Sequence, residues 1–152
     1  NMLKVEKDFE DFIELLNKND VKYLIVGAYA LALYARPRNT GDIDIFVQRD
    51  EINAKKILQV LSQFGFESIG IVEADLLAEG KVIQLGVSPV RIDIMNSIDG
   101  VKFNDAYPNL KKINFGNTPA NFISYEDLVK NKKSSSRKKD QADLEELQHF
   151  EP

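Results

Sequence analysis

The run Gly41-Asp42-Ile43-Asp44-Ile45-Phe46-Val47 constrains this chain more than any other stretch of it. Side chains alternate along an extended strand, so Asp42 and Asp44 share one face while Ile43 and Ile45 enter the opposite one. Two carboxylates held side by side repel each other, and neutral pH tolerates the pair only where a cation or a solvated cleft lies against it. Upstream, Leu24-Ile25-Val26-Gly27-Ala28 is an apolar run that breaks at a glycine. Downstream, Val90-Arg91-Ile92-Asp93-Ile94-Met95 is a second apolar run with one carboxylate. Together they outline a phosphate cradle and a third metal ligand. Taken singly, each acid has an ordinary reading: Asp42 as a turn residue, Asp44 as an outward strand residue, Asp93 as an edge charge that discourages pairing.

Composition narrows the guest. The chain has no cysteine and one histidine, His149, so a metal here is oxygen-bound, which favours magnesium or manganese over zinc or copper. At 152 residues and 43% hydrophobic, the chain fits one domain, 2–150, that can bury a core without staples. No apolar run approaches the length of a membrane span and no charged-then-apolar leader opens the chain, so the expected location is cytoplasmic, with no membrane partner. The net charge of −4 is unevenly spread, because six of the ten residues from Lys130 to Lys139 are basic and acids follow at Asp140, Asp143, Glu145 and Glu146. The segment reads either as a solvated loop leading into a helix or as an anion-binding arm.

Apolar residues at Val5, Phe9, Phe12, Ile13 and Leu16 predict an amphipathic helix over 5–17. A buried strand follows over 23–26, and then a helix over 28–35 that stops before Pro37. The aspartate strand covers 43–47, and an amphipathic helix over 51–64 closes at Gly65. Short β-rich runs at 67–72, 82–87 and 91–95 predict antiparallel sheet, with Ser88-Pro89 as a turn. In the last run Arg91, Asp93 and Met95 share a face. A short helix is expected over 101–106 and a strand over 112–115. A helix start is expected at Ser124, with Asp127 in the capping-box position. A final helix over 139–150 would turn Leu144 and Leu147 to the core. Tyr29 and Tyr34 read as helix packing residues. The whole is an α/β (α+β) chain: a mixed, mainly antiparallel sheet flanked by helices, with a helical C-terminal extension over 118–150.

The order Val26-Gly27-Ala28, then Asp42-Ile43-Asp44 between hydrophobics, then Asp93 between isoleucines, resembles the signature of the DNA-polymerase-β-like nucleotidyltransferase superfamily. The tail, Phe122-Ile123-Ser124-Tyr125-Glu126-Asp127-Leu128 with Lys132, Arg137, Asp140, Asp143 and Leu144, is similar to the closing segment of small bacterial members related to the abortive-infection type IV toxins. The resemblance runs from about residue 5 to 150. It implies a nucleotidyltransferase fold and magnesium- or manganese-dependent transfer of a nucleoside monophosphate from a nucleoside triphosphate to a hydroxyl of RNA (a tRNA) or protein. It also implies a place as the toxin half of a pair with a cognate antitoxin. The same site could instead pass on a terminal phosphate, as a kinase does, or bind nucleotide silently.

On this resemblance Asp42, Asp44 and Asp93 hold the metals, and two ions roughly 3.5 to 4 Å apart clamp the attacking and leaving oxygens. Gly27 lets the backbone approach the triphosphate at a helix start whose amides favour anions. Ala28 stands where the family usually carries Gly or Ser, so it offers its amide and no hydroxyl. Lys132 is implied as a phosphate contact and Asp140 as a polar partner at the nucleotide site. Arg38, in the loop before the triad, could reach a phosphate.

Overall fold

The computed structural model describes residues 6–36, 41–66, 69–87 and 90–150. Helix α1 (Lys7–Lys18) buries Phe9, Phe12, Ile13 and Leu16 and leads to strand β1 (Tyr23–Val26) and helix α2 (Gly27–Tyr34). Strand β2 (Ile43–Val47) follows, then α3 (Glu51–Phe64), a short α4 (Glu73–Leu77) and the hairpin strands β3 (Val82–Val87) and β4 (Val90–Met95). A short α5 (Phe103–Ala106), β5 (Lys111–Phe115), β6 (Thr118–Phe122), α6 (Tyr125–Lys133) and α7 (Lys138–His149) complete the chain.

The six strands form one mixed sheet in the order β3-β4-β2-β1-β6-β5. Pairings β1–β2, β3–β4 and β5–β6 are antiparallel, whereas β2–β4 and β1–β6 are parallel. One face carries Ile43, Ile45, Ile83, Leu85, Ile92 and Ile94, all at most 7% exposed. Each such side chain contributes roughly 1.5 to 3 kcal/mol of burial, and a one-residue slip of β2 would exchange these isoleucines for the aspartates. Register is therefore fixed by the same alternation that gathers the acids.

Local signals end the helices where the sequence predicts. Gly65 takes φ +96 and its amide bonds back to Leu61 and Ser62, closing α3. Ser124 accepts the amide of Asp127 at the start of α6. Asn53, buried in α3, accepts the amide of Lys22 and donates to the carbonyls of Lys22 and Gln48, pinning that helix to one end of β1 and β2. The carboxylates lie toward the other end.

Two expectations are corrected. No strand covers Ile69–Val72; the chain there leads into α4, and residues 67 and 68 lie outside the described residues. The tail is not helical from 118, because Thr118–Phe122 is strand β6, inside the sheet between β1 and β5. Of the two leucines assigned to the core in the last helix, Leu147 is fully buried and Leu144 half-buried. Among the described residues no helix is long and apolar enough to cross a membrane.

Candidate active site

Parallel pairing of β2 with β4 sets Asp44 directly beside Asp93, the adjacency that the sequence alone leaves as an assumption. On its other side Asp44 is the register partner of Val26, the last residue of β1. Gly27 follows at φ +66, and a Cβ built on it would overlap the Asp44 carboxylate. The glycine is thus required twice, once by its backbone and once by the acid against it. It also opens α2, so its peptide stands at a helix start beside the carboxylates.

Arg91 completes the cluster and has no assigned role in the sequence reading. Its Nε and Nη2 donate to Asp93 at 2.8 and 3.0 Å, a bidentate pair, and Nη2 also lies 3.0 Å from Asp42. One guanidinium therefore bridges two of the three acids, as its planar fork permits. The signal was in the alternation, which puts Arg91 on the face of Asp93, but its reach to Asp42 depends on the β2–β4 pairing. Asp44 is left with the most crowded charge. Burial, then the neighbouring carboxylates of Asp93 and Asp42, push its carboxyl up to about 6 against a partial offset from Arg91.

Among the described residues no group of three or more His, Cys, Asp or Glu side chains is arranged, as it stands, to hold a metal ion, and Arg91 bridges Asp42 and Asp93. The donor set nevertheless fits a hard divalent cation. It is all oxygen, it comes from neighbouring strands and the residue before one of them, and its central member, Asp44, carries a charge that burial and acidic neighbours disfavour and a cation would stabilise.

The remaining predicted residues fall in different places. Ala28 is the second residue of α2 and half-buried. Arg38 lies outside the described residues. Tyr29 packs between Phe9 and Phe115, and the Tyr34 hydroxyl donates to the carbonyl of Ile123, so both serve packing. Lys132 is 7% exposed and pairs with Asp140 at 2.9 Å and Asp143 at 3.1 Å, joining α6 to α7. Burial works against the charge on Asp140, but hydrogen bonds from Arg137, Ser135 and Lys132 outweigh it and hold that carboxyl well below the usual carboxylate range. Lys132→Met would remove the buried cation that Asp140 and Asp143 share, leaving Asp140 its bonds from Ser135 and Arg137, and is expected to lower unfolding free energy by roughly 3 kcal/mol in a urea titration. Lost nucleotide binding with unchanged stability would instead make Lys132 a substrate contact.

Solved structures share this architecture. The lincosamide antibiotic adenylyltransferase LnuA, bound to lincomycin, aligns at TM-score 0.58 with 19% identity over 99% of this chain and 99% of that chain. ANT(2'')-Ia, in complex with adenylyl-2''-tobramycin, aligns at TM-score 0.55 with 12% identity over 91% of this chain and 84% of that one. TM1012 of Thermotoga maritima aligns at TM-score 0.59 with 15% identity over 93% and 90%. At these identities the likeness is one of fold. No curated protein sequence matches the chain. With a nucleotidyltransferase fold around Gly27, Asp42, Asp44 and Asp93, and a family match spanning residues 2–150, the chain belongs to the family described as nucleotidyltransferase of unknown function (DUF6036).

Proposed function

We propose that this protein transfers a nucleoside monophosphate from a nucleoside triphosphate to a hydroxyl group, with magnesium or manganese held by Asp42, Asp44 and Asp93. The observation that carries the reading is the register that sets Asp44 beside Asp93 on one side and against Gly27 on the other. When bound, the cation would neutralise charge on the triphosphate and favour the ionised hydroxyl. The chain's own residues do the positioning. Gly27 and the amides that open α2 approach the triphosphate, and Asp44, pressed between Gly27 and Asp93, is the acid they share with it. Arg91 orients Asp93 and Asp42 until the substrate complex replaces its contacts. The acceptor oxygen bonds the α-phosphorus, the α–β bridging bond breaks, pyrophosphate leaves, and the hydroxyl proton passes to a carboxylate of the pair.

The acceptor we favour is a small hydroxylated molecule. LnuA binds lincomycin and ANT(2'')-Ia binds an adenylylated tobramycin, and LnuA is matched over nearly all of both chains. The resemblance to toxins favours instead a tRNA or protein hydroxyl and a cognate antitoxin. Incubation with magnesium and each α-labelled nucleoside triphosphate, offering tRNA, cell protein and a pool of small hydroxylated compounds side by side, separates these readings. Label on any acceptor, lost in Asp42→Asn, supports transfer, and the acceptor fraction names the class. Label that moves only from the γ position would establish a kinase instead. Nucleotide binding with no transfer of either label would mark a silent module.

A further inference from the structure

Strand β3 extends the acidic row by one position. Gln84 is the register partner of Asp93, which is the partner of Asp44, so Asp44, Asp93 and Gln84 lie in line across β2, β4 and β3. Cross-strand partners stand with Cβ atoms about 4.5 to 5.5 Å apart. Alternation puts Val82, Gln84 and Gly86 on the face of that row, while Ile83 and Leu85 are 7% and 1% exposed in the core. The open face is not closed over: Val82 is 47% exposed, Gln84 is exposed, and Met95, the partner of Val82, is half-exposed. Gly86, partner of Arg91, adds no side chain there and at φ +83 favours none.

The chemistry of this shelf is specific in two respects. The Gln84 amide can make four hydrogen bonds and, among the described residues, has no hydrogen-bond partner. The charges beside it are three carboxylates against one guanidinium, and Arg91 is already engaged with Asp42 and Asp93. Lys81, at the start of the strand, pairs with Asp75. Once a cation sits on the carboxylates their charge no longer repels phosphate, but among the described residues these strands place no cation on this face except the engaged Arg91. A phosphodiester chain therefore finds nothing to hold its further phosphates, whereas a molecule with hydroxyls on one side and hydrocarbon on the other meets Gln84, Val82 and Met95.

Resting on the proposed function, we propose that the open face of β3 and β4 is the acceptor shelf. Gln84 holds the acceptor's hydroxyls beside Asp93, and Val82 with Met95 takes the apolar side of a small hydroxylated molecule. Gln84 is thus a positioning residue that sets acceptor specificity and does not bind the nucleotide.

The test is amide NMR of the full chain with magnesium and a non-hydrolysable ATP analogue, titrated with heptyl glucoside below its micelle concentration, methyl glucoside, or a short single-stranded RNA. The expected result is that heptyl glucoside shifts the Gln84 side-chain amide and the Val82 and Met95 backbone, with methyl glucoside weaker. Gln84→Ala should weaken both glucosides about tenfold, the loss of one or two hydrogen bonds. Val82→Asp should weaken heptyl glucoside alone. Both variants should keep the analogue's shifts at Gly27 and Asp44, which also reports that they fold. Shelf shifts caused by RNA in place of the glucosides would overturn the proposal, as would shelf shifts that track protein concentration alone, the mark of a second copy seated there. Silence at the shelf, with Gly27 still responding to the analogue, refutes the shelf and spares the proposed function; silence at Gly27 refutes the proposed function itself.

Discussion

Asp44→Asn is expected to abolish nucleotidyl transfer and, in the same variant, to raise the melting temperature at neutral pH. The substitution keeps the shape of the side chain and removes a charge that the fold accommodates poorly, since burial and two acidic neighbours push the Asp44 carboxyl from 3.8 to about 6. The folded chain then binds this proton more tightly than the unfolded chain does. Ionised Asp44 therefore costs stability at every pH above about 6, the cost shrinks as pH falls toward 3.8, and below that it is gone. A shift of this size corresponds to roughly 3 kcal/mol, and solvent access to a partly exposed group reduces it to about 2 kcal/mol. Loss of transfer should be about a thousandfold or more, as for removal of a group that stabilises the transition state directly. Magnesium supplies the decisive contrast: it should raise the melting temperature of the wild type, whose charge it neutralises, and leave the variant nearly unchanged. A variant that still transfers label, or is stabilised by magnesium as much as the wild type, would remove Asp44 from the site.

The parts of this site that could be read in the sequence are those fixed by local rules. Alternation orders Asp42 and Asp44 on one face, apolar flanks identify the strands, and Gly65 and Ser124 mark helix ends through their own backbone chemistry. What local rules do not carry is which strands meet, so the β2–β4 pairing was an assumption and the bridge from Arg91 to Asp42 was invisible. Strand β6 contains Pro119, which cannot donate to a ladder. It is tolerated because β1 pairs with β6 only at Ile25 and Phe122, leaving Pro119 without a ladder bond to donate on that side. Ile69, Ile71 and Val72 misled: they are β-branched, but Ile69 and Val72 are 49% and 56% exposed and meet no partner strand among the described residues. Lys132 sits in a ten-residue segment with six basic residues, a composition that argues for solvent. Its burial comes from Asp140 and Asp143 on the next helix, a match made by packing at a distance no charge count reveals.

Gly27→Ala is expected to lower transfer by about a hundredfold or more while the chain still folds. Two costs coincide at this position. An alanine at φ +66 carries roughly 1 to 2 kcal/mol of backbone strain, and its methyl would occupy the space of the Asp44 carboxylate. The strand cannot yield, because Asp44 is held in register between Val26 and Asp93, so the side chain must turn away from the row it shares with Asp93. A displacement of about 1 Å in a positioned group is enough for a hundredfold loss. Gly100→Ala is the matched comparison. Gly100 takes φ +72, and a Cβ there would overlap the Ser134 hydroxyl near the junction of α6 and α7. It should show a similar loss in a urea titration with transfer retained. If both variants lose transfer in proportion to stability, Gly27 is only a turn glycine; if Gly27→Ala alone loses it, the contact with Asp44 is the reason that position has no side chain.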